Sequence, residues 1–291
     1  MKISTEINSI SQFVGMEDAV RIVADAGFDA WDFSMHVMAG YNWSTGEYAP
    51  PEHPLNGDGY LEYAEKLGRI GRENGIVCNQ SHSPYPVFVP QIAQKAHRAL
   101  ECTAAAGGGI CVIHPHNNKT PEENAEYFKE FLPTAKKLGV KIACENMYNW
   151  DEAAGHTAPA ACSDPANFTA HIDAVNDPYL VACLDIGHAE MMHWFGVSAA
   201  DMARALGGKR LKALHIHDND RRGDKHQIPF SMDIDFEPVV KALHDINYTG
   251  YFTLESASYL RKYSPDDIKG GVKKMAQAAR RLADMFESLD K

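Results

Sequence analysis

Residues 123–146 read ENAEYFKEFLPTAKKLGVKIACEN. Tyr127, Phe128, Phe131, Leu132 and Ala135 recur every three or four positions, the period of a helix with one buried face. The pattern stops at Gly139, a residue suited to the left-handed conformation that closes a helix. Val140–Glu145 follows at once as a short apolar run that ends on a carboxylate. The segment therefore predicts a helix, a tight glycine joint and a buried strand, which is the repeating half of a parallel α/β architecture.

The same unit recurs along the chain. Candidate strands are Lys2–Glu6, Ala30–Ser34, Gly75–Ser81, Gly109–His114, Val140–Glu145, Tyr179–Asp185, Leu211–His217 and Tyr251–Glu255. Helical periodicity fills the gaps, as in MEDAVRIVADAG (16–27), YLEYAEKLGRIGRENG (60–75) and FEPVVKALHDINYTG (236–250). Eight strand–helix units in 291 residues fit one (β/α)8 barrel, α/β class, with no second domain needed across 1–291. The long irregular stretches 35–57, 147–165 and 218–235 all follow strands, so in a barrel they crowd the C-terminal face where active sites are built.

Composition narrows the function. Apolar residues make up 45% of the chain, enough for a large core, and the net charge of −11 has the wrong sign for binding a nucleic acid through its phosphates. No run of about 18 apolar residues suggests a membrane span, and the start MKISTEINSI lacks the regions of a signal peptide. The expectation is a cytoplasmic protein acting on a small molecule, with self-association left open. Cys78, Cys102, Cys111, Cys144, Cys162 and Cys183 form no CxxC pair and read as reduced core residues.

A barrel brings its strand ends together, so their identities matter most. They are, in order, Glu6, Asp32, His82, His114, Glu145, Asp185 with His188 three residues on, His215 and His217, and Glu255. Converging carboxylates repel unless cations compensate, and a divalent metal is the economical compensator. The period of two puts His215 and His217 on one face.

ENM after the fifth strand, LDIGH after the sixth, HIHDND after the seventh and LES after the eighth resemble the metal-bearing strand ends of a known group. It is the sugar phosphate isomerase/epimerase group of the xylose-isomerase-like TIM barrel superfamily, which includes ketose 3-epimerases and inosose-processing enzymes and is related to endonuclease IV. The resemblance spans nearly the whole chain. It implies that Glu145, Asp185, His217 and Glu255 hold one divalent metal and that His188 touches substrate. His217 is preferred to His215 because the group's ligand precedes a polar run like Asp218-Asn219-Asp220. SHSPY, VIHPH and GDKH resemble further metal-site segments of endonuclease IV, which implies His82, His114, Asp224 and His226 as second-site ligands or substrate contacts. The chain departs from the group after GDKH, where IPFSMDID replaces a PGEG-like turn, so phosphate contacts from that loop do not carry over.

Three carboxylates and one imidazole suit Mn, Mg, Co or Zn. Such a site supports isomerisation or epimerisation of a sugar, sugar phosphate or keto-polyol, with Glu145 and Glu255 removing and returning the α-proton across an enediolate. A lyase or dehydratase on a keto-sugar or inosose starts with the same step. Phosphodiester cleavage of the endonuclease type and a non-catalytic metal-binding barrel are the remaining alternatives. Tyr41, Trp43, Tyr48, Tyr85, Phe88, Tyr148, Trp150, Trp194, Phe195 and Phe230 lie in the loops at the expected mouth as candidate sugar-stacking walls, most of them expected to pack loops onto the barrel. Arg221, Arg222, Lys225, Arg261 and Lys262 follow the last two strands, where barrels often bind phosphate, but read more simply as a solvated face.

Overall fold

The computed structural model describes residues 1–290. Thr120 accepts from the Glu123 backbone N–H while Glu123 accepts from that of Thr120, a reciprocal cap that starts the helix Pro121–Leu138. The helix ends on Gly139 at φ 70°, in the left-handed region, and the chain turns directly into the buried strand Lys141–Glu145. The decisive segment thus folds as its periodicity predicts.

Ten strands form among the described residues, eight of them in one parallel sheet. They are β1 Ile3–Glu6, β2 Ala30–Ser34, β3 Val77–His82, β4 Ile110–Ile113, β5 Lys141–Glu145, β6 Asn149–Asp151, β7 His156–Ala158, β8 Leu180–Asp185, β9 Leu211–His215 and β10 Phe252–Leu254. The sheet order is β10-β1-β2-β3-β4-β5-β8-β9. It closes through a parallel bridge from Ile216 to Leu254, with Ile216 donating to Thr253 and Glu255 donating to Ile216 at 2.9 Å each. The fold is a TIM barrel, all eight candidate strands being present. Boundaries move by up to two residues: His82 lies inside β3, His114 lies just beyond β4, and β9 ends at His215 instead of His217. The stretch 147–165, expected to be irregular, contains the β6–β7 hairpin.

The barrel interior divides in two. On one side Val112, Ala143, Val181, Cys183 and Ala213 form a small apolar cluster. On the other, Ser4 donates to Asn79 (2.6 Å), Asn79 to Thr253 (3.1 Å), Thr253 to Gln80 (3.2 Å) and Gln80 to Asp32 (2.9 Å). The polar half is thereby satisfied internally, as buried polar groups must be. It ends on the Asp32 carboxylate, just beneath the mouth. All six cysteines are buried and free, with Cys144 and Cys162 Sγ atoms 3.5 Å apart.

Asp218 fastens the long loop that follows β9. Its carboxylate accepts from the backbone N–H groups of Asn219, Ser231, Met232 and Ile234 at 2.8–3.1 Å, folding residues 218–235 back over the mouth. No helix among the described residues is long and apolar enough to cross a membrane.

Candidate metal centre

Parallel strands in register set the first group of residues. Asp185 pairs with His215 across β8 and β9, and Glu145 pairs with Cys183 across β5 and β8, so these ends arrive at one level. Glu145, Asp185, His215 and Glu255 each offer a ligand atom within 4.8 Å of the other three, and all are buried. His215 Nδ1 lies 2.9 Å from Glu145 Oε1 and 3.7 Å from Glu255 Oε2, while its Nε2 faces Asp32 Oδ2 at 3.5 Å. A carboxylate behind the second ring nitrogen is the usual means of orienting a metal-binding histidine. Asn146 fixes Asp185 from both sides, accepting from its N–H at 2.7 Å and donating to its carbonyl at 2.9 Å.

His82 and His114 approach the other oxygen of the same glutamate. Their Nε2 atoms are 3.3 and 3.1 Å from Glu145 Oε2 and 3.1 Å from each other. His82 Nδ1 donates to the Ser83 carbonyl at 2.7 Å, which leaves the Nε2 lone pair facing inward. Glu145 therefore stands between two clusters, one oxygen toward each. His36, which the sequence reading missed, joins His82 and Glu255 in a further group of three. Its only sequence signal is its place two residues after β2.

His188, His217, Asp224 and His226 form an outer group. The expected set places His217 with Glu145 and Glu255, whereas His215 is the histidine that the structure brings within reach of both. The reason is depth: β9 ends at His215, level with Asp185, and His217 lies two residues higher on the same face. His217 still touches Asp185, with Nε2 3.2 Å from Oδ1. His82, His114, Asp224 and His226 all face the mouth with Glu145 and Glu255.

The remaining strand ends have supporting places. Asp32 backs His215. Glu6 accepts from the backbone N–H of Ser9 at 3.0 Å and from its hydroxyl, at the start of the helix Asn8–Val14. Burial raises the Glu6 carboxyl to about 7, against the opposing pull of its Ser9 hydrogen bonds.

Electrostatics across the mouth are strongly coupled. Burial disfavours the Glu145 carboxylate, yet attraction to His215 and contacts with His114 and His82 hold its pKa well below the usual range. Burial likewise opposes charge on His215, and its anionic neighbours, Glu145, Glu255 and Asp32 among them, still raise it well above normal. His226, buried but beside Asp224, is pushed up to about 10. The carboxylates thus favour the charged forms of His215 and His226, whereas burial lowers the pKa of His36 and His114.

Glu145 Oε2, Asp185 Oδ2, Asp224 Oδ1 and both ring nitrogens of His217 are buried without a hydrogen-bond partner. Several lie within 3.4 Å of a charged neighbour but are misaligned for hydrogen bonding. Unpaired buried polar atoms are costly, and a concentration of them among carboxylates and imidazoles is the chemistry of a metal site.

A cavity of about 720 Å³ opens above these groups, reaching His82, His114, Glu145, His188, Asp224, His226 and Glu255. Trp43, Tyr85, Phe88 and Tyr148 wall it. Tyr41 packs against Trp43 and Phe88, Phe230 packs on Phe236, and Trp150, Trp194 and Phe195 are exposed outside the lining. None of the five basic residues after the last two strands, read as a solvated face, lines the cavity: Arg221 pairs with Glu190, Lys225 with Asp220, and Lys262 lies over Tyr259. Lys119 is the lysine that reaches the wall.

Residues 20–287 match the model of a family described as xylose isomerase-like TIM barrel. The chain belongs to that family. The xylose isomerase-like match covers every barrel strand except β1. An uncharacterised protein of Methanocaldococcus jannaschii is 24% identical over 261 residues, covering 83% of this chain and 79% of that one. A solved structure described as a D-tagatose 3-epimerase-like protein superposes with a TM-score of 0.73 at 17% identity, covering 100% of both chains. The IolI protein, solved with a bound zinc atom, superposes with a TM-score of 0.66 at 16% identity over 99% of both chains. At such identities these likenesses show the shared xylose isomerase-like fold.

Proposed function

We propose that the protein is a divalent-metal-dependent isomerase or epimerase of a sugar, sugar phosphate or keto-polyol, acting by transfer of the proton beside a substrate carbonyl. The carrying observation is that Glu145 and Glu255 both lie beside His215 Nδ1, at 2.9 and 3.7 Å, and both open onto one cavity. Glu145, Asp185, His215 and Glu255 fit a divalent ion, since three carboxylates converge there and the buried Asp185 Oδ2 has no hydrogen-bond partner. When bound there, Mn²⁺, Mg²⁺, Co²⁺ or Zn²⁺ supplies a Lewis acid for a carbonyl and its neighbouring hydroxyl.

The chain's own residues do the rest. Glu255, the more open of the pair, holds and moves a proton at Oε2, and Glu145 does so from the opposite side. Asp32 keeps His215 oriented, and Asn146 keeps Asp185 in place. Trp43, Tyr85 and Phe88 exclude water and offer apolar faces to a sugar ring. The volume is ordinary for a small-molecule site. The D-tagatose 3-epimerase-like neighbour and the zinc-bearing IolI protein support this reading of the fold.

The test is a screen of metal-loaded protein against ketoses, aldoses and inososes in D2O, followed by NMR. Deuterium entering at one carbon with a new epimer or isomer is the expected result. Loss of water from the substrate instead would identify the lyase reaction. Phosphoester hydrolysis is favoured by one specific observation, the two oxygens of Glu145 facing two separate clusters, a layout suited to paired ions. Release of phosphate or cleavage of an abasic-site oligonucleotide, with no deuterium exchange into any sugar, would establish that reading instead.

A further inference from the structure

We propose that Trp43 and Phe88 form a second subsite at the rim of the cavity, which seats the outer ring of a reducing disaccharide while the reducing sugar meets the inner cluster. The inference rests on the sugar isomerase or epimerase reading above and names the substrate class within it.

Volume is the first ground. A hexose has about twelve non-hydrogen atoms, and even at the roughly 30 Å³ that each water takes in the liquid it fills only about half of the 720 Å³ cavity. A second ring of the same size accounts for the rest.

The second ground is exposure. Trp43 and Phe88 are 66% and 60% exposed, although both line the cavity. They come from different loops, after β2 and β3, yet their rings meet edge to face at 6.0 Å, and Tyr41 packs against them at 5.1 and 5.7 Å. Single exposed aromatics are ordinary, whereas a contiguous group at a cavity mouth marks a binding face. Tyr85, by contrast, is half-buried and stacks on His114 at 5.0 Å. The wall thus has two aromatic levels, one beside the ligand cluster and one at the rim.

Support behind the rim is the third. Residues 40–49 form a tight turn in which the Asn42 N–H donates to the Glu47 carbonyl at 2.9 Å and the Ala49 N–H to the Gly40 carbonyl at 2.8 Å. Gly40 has φ 58°, and a Cβ there would collide with the backbone of Ala49 and Pro50, so only glycine lets the turn close this far. Lys95 Nζ donates to the Met38 carbonyl and to Asn56 Oδ1 at 2.7 Å each, tying both ends of the loop to the helix Lys95–Ala106. A platform ordered in advance loses little freedom on binding.

The fourth ground is the polar edge beside those rings. The turn after β4 carries Asn118 and Lys119 onto the same cavity wall. Buried Asn124 holds that turn, accepting from the His116 N–H at 2.8 Å and donating to the His116 carbonyl at 3.1 Å. Asn118 Oδ1 accepts from Asn149 at 2.8 Å, which leaves Asn118 Nδ2 to donate to a ligand. An aryl group needs no such donors, so the outer ring is a hydroxylated one.

The test uses metal-loaded full-length chain and a panel of reducing glycosyl-ketoses and glycosyl-aldoses of differing linkage, with fructose, glucose and galactose as single-ring controls. Saturation-transfer NMR should show both rings of a bound disaccharide against the protein. Calorimetry should give the best disaccharide a dissociation constant roughly tenfold below that of any single-ring sugar, the gain expected from two aromatic contacts. Trp43→Ala combined with Phe88→Ala should remove roughly that tenfold for the disaccharide and less for the single-ring sugars. Both rings are exposed, so the variant tests binding and not folding. None of these readouts needs turnover. Contact of the outer ring with no deuterium exchange in any sugar would overturn the reaction and uphold the subsite. Exchange in single-ring sugars with no gain for any disaccharide would overturn the subsite and uphold the reaction. Equal losses for one-ring and two-ring sugars in the variant, or a shift in its oligomeric state that assigns the rings to a second copy of the chain, would also overturn the subsite.

Discussion

The ring of His217 fills the space that a side chain at Gly187 would need: a Cβ there would overlap Cε1, Nε2 and Nδ1 of the imidazole. The glycine of LDIGH is thus required by close approach, since its backbone is ordinary helix. Gly187→Ala should displace His217 from Asp185 and Asp224 and destabilise the fold by about 1–3 kcal/mol, the usual range for overpacking. Thermal unfolding with parallel zinc analysis checks this. An unchanged midpoint and zinc content would mean that the ring has room to swing aside.

Glu145→Gln and Glu255→Gln should each lower kcat by roughly 10²-fold or more, with a smaller effect on KM, because an amide cannot accept the α-proton. Metal content must be measured on the same samples, since both residues also belong to the inner ligand set. Full activity in either variant would remove the proton-transfer assignment.

Metal uptake should release protons. His215 and His226 are held toward their charged forms by neighbouring carboxylates, against the effect of burial, and a ligating imidazole must be neutral. Calorimetry of zinc binding at pH 7 in buffers of different ionisation enthalpy should report at least about one proton released per ion. Affinity should then rise with pH. A binding enthalpy independent of buffer would contradict the charge state described for these rings.

Glu6 should make the metal-free protein less stable at alkaline pH. Its carboxyl titrates at about 7 in the fold, against 4.5 as the ordinary value. A carboxyl raised in this way contributes its full stability below pH 4.5 and loses it as pH rises through 7. The difference corresponds to about 3 kcal/mol. Urea unfolding of stripped protein at pH 5 and pH 8 should show that loss in the wild type and a smaller one in Glu6→Gln. Equal losses in the two proteins would place the titration elsewhere.

The barrel was legible because its signals are local. The helix before Gly139 and the run to Glu145 each announce themselves within a few residues, and that repeat fixes the strand count. Asp185 and His188 were legible as partners for the same reason, being three apart at a strand end. His215 and His217 were not separable, because a period of two gives the face of a strand but not the depth at which it stops. The 218–235 loop was opaque on different grounds. Its course depends on Asp218 accepting from Ser231, Met232 and Ile234, contacts that carry no periodicity. The basic residues after β9 read as a solvated face, but their individual partners, Glu190 for Arg221 and Asp220 for Lys225, carry no sequence signal.

One short segment, His215 to His217, supplies a ring to the inner cluster and another to the outer one. The closing bridge at Ile216 holds the chain rigidly between them. Occupancy at either cluster is therefore thermodynamically linked to occupancy at the other, through a lever only three residues long. Reciprocity requires the linkage to run equally in both directions. Whatever seats or shifts the ring at the rim is felt by the ring at the floor.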